Sequence, residues 1–134
     1  MKTLTAFLLF MHVFIGSAQD TIPLNPCPSS PNCVCTYEKK ARKSAPTLPF
    51  KGTLDESRAE LIKLISTIEG ATLVKENATY LHFEFHTSIG QFIDDVEFYF
   101  DETNKVIHYR SASREGYGDF GANMRRMKKI EQMW

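Results

Sequence analysis

Residues 110–126 read RSASREGYGDFGANMRR, a stretch dense in groups that can do chemistry. Arg114, Ser113, Tyr117 and Asn123 are donors suited to an anionic group. Asp119 begins a run whose spacing suits a helix, and free amides at a helix start attract anions. A second constellation is Asp94-Asp95, two carboxylates in sequence. General acid–base work on one substrate needs both on one side, but adjacent residues of a strand point to opposite faces. A third is His82, Glu84 and His86, which share one face of an alternating run. Imidazoles and carboxylates are zinc ligands, but strand neighbours two apart lie about 7 Å from one another, too far for three in a row to converge. No metal site or cofactor is therefore expected. There is no GxSxG nucleophile turn and no glycine-rich phosphate loop, so no catalytic residue is assigned.

Elements of regular structure must position these groups. Thr53-Leu54-Asp55-Glu56 fits a capping box, and Leu54, Leu61, Ile62, Ile65 and Ile68 follow at helical spacing, which predicts a helix over 54–69 closed by Gly70. Residues 71–76 are a short strand, and 79–88 alternate with Leu81, Phe83 and Phe85 on one face. Ile89-Gly90 serves as a turn. Residues 91–101 alternate again, with Phe92, Val96, Phe98 and Phe100 toward the core, and 106–113 form a fourth strand. Asp119 caps a final helix with Phe120, Met124, Met127 and Ile130 on its apolar side. The expected architecture is α+β: a four-stranded antiparallel sheet with two helices on one face, in the order α-β-β-β-β-α, preceded by an extended N-terminal arm.

Turn lengths set the register. With Ile89-Gly90 as the turn, Phe85 faces Asp94 and Glu84 faces Asp95. With a loop at 102–105, Arg110 faces Glu97 and Ser113 faces Asp94. This places Asp94 on the apolar face, where an unpaired charge is costly. The expected ion pairs are Asp94 with Arg114 and Glu97 with Arg110. The plain alternative to a ligand site is that the glycine-rich turn and its ion pairs only lock the last strand to the last helix.

The front of the chain bounds the compartment. Lys2, the apolar run 4–15 and the small residues Gly16-Ser17-Ala18 read as a secretory signal peptide over 1–18, cleaved after Ala18. Export to a periplasmic or secreted location follows, with no transmembrane helix after cleavage. Residues 19–49 are the Pro- and Ser-rich arm, and 50–134 the folded domain. The full chain carries 16 basic and 16 acidic residues, a balance that argues against nucleic acid as partner but leaves room for peripheral membrane contact. The arm's basic run 39–43 reads as a solvated tether. Of three cysteines, Cys27 and Cys33 close a small loop rich in turn residues. Cys33–Cys35 is the tighter and less favoured ring, and Cys35 is then a free thiol or an intermolecular bridge.

Three motifs resemble one family. Cys27-Pro28-Ser29-Ser30-Pro31-Asn32-Cys33-Val34 resembles the CPxSPNCV signature of domain of unknown function 1499. Residues 94–98 resemble its DDVEF strand, and residues 110–126 its RSASRxGYxDxGxNxxR segment. The family typically has serine where this chain has Cys35. The resemblance implies a small exported or membrane-associated domain without an established activity. It also implies that Asp94, Asp95, Glu97, Arg110, Ser111, Ser113, Arg114, Tyr117, Asp119 and Asn123 form a shared site or scaffold. The expected function is a non-enzymatic domain binding a small anionic ligand, a lipid headgroup or a partner protein. Its expected ligand residues are Asp94, Ser113, Arg114, Tyr117, Asp119 and Asn123. The alternative is a hydrolase- or transferase-like enzyme using Asp94 and Asp95.

Overall fold

The computed structural model describes residues 21–39 and 43–134, so the signal peptide read over 1–18 lies outside the described residues. In chain order the elements are β1 (Cys33–Cys35), β2 (Leu48–Pro49), α1 (Leu54–Ser66), β3 (Ala71–Glu76), β4 (Tyr80–His86), β5 (Ile93–Asp101), β6 (Val106–Ser113) and α2 (Ala122–Met133). The fold is α+β, as the patterning predicts, but the sheet has six strands rather than four. Within the sheet the named strands pair antiparallel, in the order β1-β6-β5-β4-β3, with β2 also paired to β6, and one parallel bridge joins Cys35 to Ser44.

The two extra strands come from the arm. Cys33, Val34 and Cys35 pair with Ala112, Ser111 and Arg110, and Leu48 pairs with Ile107. These runs are too short to show alternation, which is why the sequence reads them as irregular. Pairing them on β6 removes an open edge that would otherwise template aggregation. A disulfide joins Cys27 to Cys33, and Cys35 is a free thiol buried completely beside it. The basic run is not simply a tether either. Lys43 is buried and donates to the Pro28 carbonyl, while residues 40–42 lie outside the described residues.

One face of the sheet is the core. Leu81, Phe83, Phe85, Val96, Phe98, Phe100, Ile107 and Tyr109 alternate onto it and pack with Leu61, Ile65, Met127 and Ile130 of the helices. Helix α1 begins with the expected capping box, Thr53 Oγ1 accepting from the Glu56 amide and Glu56 from the Thr53 amide. It ends at Ser66, before the predicted stop. Gly70 has φ +82° and an added Cβ would stand 2.5 Å from the His86 carbonyl oxygen, so it belongs to the entry of β3 instead. The predicted register holds on both sides of β5: Phe85 faces Asp94, and Ser113 faces Asp94 from the other strand.

Two aromatic assignments are overturned. Phe92 and Phe120 were expected in the core, yet Phe92 is half exposed and Phe120 is fully exposed. Phe92 lies outside β5, whose pairing starts at Ile93, so strand alternation does not orient it. Phe120 precedes α2 and sits at φ +50°, which takes it off the helical face.

Candidate functional site

The motif segments meet at the end of the sheet where β6 turns toward α2. Asn123 lies in the first turn of α2, is 1% exposed and has a side chain that contacts three chain segments. Its Nδ2 donates to Asp119 Oδ2 at 2.8 Å, Ser113 Oγ at 3.0 Å and the Asn32 carbonyl at 3.2 Å. Its Oδ1 accepts from Ser111 Oγ at 2.6 Å and Arg126 Nη1 at 2.8 Å. Asn32, in the loop before Cys33, also donates to the Gly116 carbonyl at 2.7 Å and accepts the Ser113 amide at 3.0 Å. The cysteine loop, the last strand and the last helix are thus one hydrogen-bonded unit.

Asp94 is buried on the core face, as the register predicts, but its partner is Arg126 and not Arg114. Arg126 donates from Nη2 to Asp94 Oδ2 and from Nη1 to Ser111 Oγ, with its guanidinium 4.7 Å from the Phe85 ring centre. Arg114 extends the alternation of β6 onto the opposite face. There it donates to both oxygens of Asp95, at 3.1 and 2.7 Å, and to Glu84 at 2.7 Å. Ser113 faces Asp94 on the core side, so its neighbour Arg114 must face away. Arg126 is legible in hindsight: three residues after Asn123 and four before Ile130, it shares their helix face.

The wetter face carries a ladder of paired charges. Arg110 donates to Glu97 at 3.0 Å, the cross-strand pair the register predicts, and Tyr80 donates to Glu97 at 2.7 Å. His82 Nε2 is 2.8 Å from Asp95 Oδ1, and His86 is 3.6 Å from Glu84. Burial alone would raise the Asp95 carboxyl. Hydrogen bonds from Arg114 and His82 outweigh it and hold the carboxyl below its ordinary range. Asp94 and Asp95 therefore face opposite sides, each with its own cation, which is not the geometry of an acid–base pair. Among the described residues no three His, Cys, Asp or Glu side chains are grouped to hold a metal ion.

Asp119 performs the capping that the sequence predicts, although Gly121 is the residue at the helix boundary. Its Oδ1 accepts the Gly121 amide at 2.8 Å and its Oδ2 the Asn123 amide at 2.9 Å. Burial pushes its carboxyl up, but these amides and the Asn123 side chain outweigh burial and lower it. A lowered carboxyl stabilises the fold above its unfolded value, near about 3.9, and that contribution is lost as pH falls through the folded value. Asp119→Ala is expected to lose about 1 kcal/mol at pH 7 in thermal melts, a deficit that narrows below about pH 4.

Beside this network lies an open cleft of about 360 Å³, between the turn at 87–92 and the loop at 115–122. Asp94, Ser113 and Asp119 form its polar floor, and Ile89, Phe92 and Phe120 its apolar walls. Glu115, Gly116 and Gly118 complete the loop side. Tyr117, between those glycines, is exposed. Of the six residues expected to bind a ligand, Asp94, Ser113 and Asp119 line the cleft. Asn123 braces it from behind, and Arg114 faces away. No lysine or arginine is among the lining residues. The sequence gives no sign of Ile89 and Phe92 as part of a site, because they read as turn and core.

A model of the family described as "Protein of unknown function (DUF1499)" matches residues 23–133. No curated protein and no solved structure gives a significant match to the chain.

Proposed function

The chain belongs to the DUF1499 family, and on that premise we propose that it is an exported, non-enzymatic binding domain whose site is the cleft between residues 87–92 and 115–122. One observation carries this reading. Three large apolar side chains that line the cleft, Ile89, Phe92 and Phe120, are 86, 52 and 100% exposed, and Tyr117 in the same loop as Phe120 is 76% exposed without lining it. Scattered exposed residues need no explanation, but a cluster around a concavity with a polar floor is the usual form of a binding site.

The backbone adds to the argument. Phe120 holds φ +50°, a conformation that costs a bulky residue roughly 1–2 kcal/mol, and it buries nothing in return. The arginine pocket for an anion expected from Arg114 is replaced in this reading, because Arg114 is engaged on the other face and no cation lines the cleft.

Native mass spectrometry of the mature protein, purified from its own exported compartment, tests the proposal. Retained mass is expected on the wild type and not on the Phe92→Ser/Phe120→Ser variant, whose changes touch exposed side chains only. A wild type without retained mass, or a variant that keeps it, overturns the reading.

A further inference from the structure

We propose that the cleft takes a small amphipathic amine, its ammonium group on Asp94 Oδ1 and its apolar body between Ile89, Phe92 and Phe120. The inference rests on the reading of the cleft as a binding site and names the ligand's chemical class. Asp94 is 2% exposed and gives Oδ2 to Arg126. Among the described residues no donor reaches its Oδ1, although Asp94 lines the cleft. A carboxylate has about four acceptor positions, and those of Oδ1 are left open to a donor entering from the cleft. Ser113 Oγ, which faces Asp94 across the strands, accepts from Asn123 and keeps one lone pair for the same donor.

Charge selects an ammonium over other heads. The charged lining residues are Asp94, Glu115 and Asp119, all acidic. Arg126 balances Asp94 and the α2 amides engage Asp119, while among the described residues no salt bridge involves Glu115 at the rim. An anion would enter against this charge, and an uncharged head would gain less from it.

Gly118, on the loop side, is exposed and leaves that side of the cleft open. It lines the cleft, its φ lies outside the left-handed range, and an added Cβ would meet nothing within 4 Å. The volume lies at the lower end of small-molecule sites, enough for one ring and a short tail.

Three probes with one ring and different heads make the test: phenethylamine, phenethyl alcohol and 3-phenylpropionate, each titrated into the mature protein and followed by amide NMR. Phenethylamine is expected to shift amides at 87–94 and 113–120. The alcohol should bind about tenfold more weakly, and the carboxylate weaker still. The Phe92→Ser/Phe120→Ser protein should keep the wild-type spectrum elsewhere and weaken phenethylamine about tenfold. Carboxylate binding as tight as the amine, no shift with phenethylamine, or unchanged amine affinity in the Phe92→Ser/Phe120→Ser protein each overturns the proposal. If the amine fails while retained mass is still lost from the Phe92→Ser/Phe120→Ser protein, the ammonium assignment falls and the cleft remains the site.

Discussion

Arg126→Met is expected to remove about 3–5 kcal/mol of stability, measured as the urea midpoint at pH 7. The substitution keeps much of the length and apolar contact of the side chain, so the loss reports the charge and its hydrogen bonds. It strands the Asp94 carboxylate at 2% exposure and takes a donor from both Asn123 and Ser111. That is a large share of the 5–15 kcal/mol that holds a typical domain together. Arg126→Lys keeps the charge but not the planar fork that reaches Asp94 with one nitrogen and Asn123 with the other, so it should recover only part of the loss. The double variant Asp94→Leu/Arg126→Met is expected to be more stable than Arg126→Met alone, because no uncompensated charge remains. Near-wild-type stability for Arg126→Met would show that the pair is not what holds the last helix to the sheet.

Asn123 should be nearly as sensitive, with an order of severity that tests the network itself. Asn123→Ala is expected to lose about 2–4 kcal/mol, since Ser111, Ser113, Asp119 and the Asn32 carbonyl all lose a partner. Asn123→Asp should be worse, although it is almost isosteric. The amide nitrogen shares its two hydrogens among three oxygens, one of them on Asp119 at 2.8 Å. A carboxylate there has no hydrogen to offer and adds like charge. Urea unfolding gives the ranking. Hydrogen exchange at Cys33–Cys35 should accelerate in both variants, because that strand is tied to α2 through Asn32 and Asn123. An Asp variant as stable as the wild type would exclude the donor role.

The cysteine-loop, DDVEF and RSASR segments supply Asn32, Asp94, Ser111, Ser113, Asp119, Asn123 and Arg126 to one unit behind the cleft. Most of these polar groups satisfy one another. The scaffold and binding readings are therefore layered: the network fixes the floor, and the exposed loops form the walls.

Period-two alternation and turn lengths were enough to read strands β4 to β6, their register and the burial of Asp94, because shifting a strand by one residue would turn its apolar set to water. The capping box made the start of α1 legible from four residues. The cysteine spacing was enough to favour Cys27 with Cys33. Contacts between elements distant in the chain were a different matter. The partner of Asp94 lies 32 residues away on a helix whose rotation is set by packing Met127 and Ile130, and the face that Arg126 shares with Asn123 and Ile130 meets Asp94 only once that helix is docked on the sheet. Strands of two and three residues form only because β6 offers an open edge. The cleft needs a turn and a loop brought side by side by the sheet, so Ile89, Phe92 and Phe120 gain a common role only once the chain is folded.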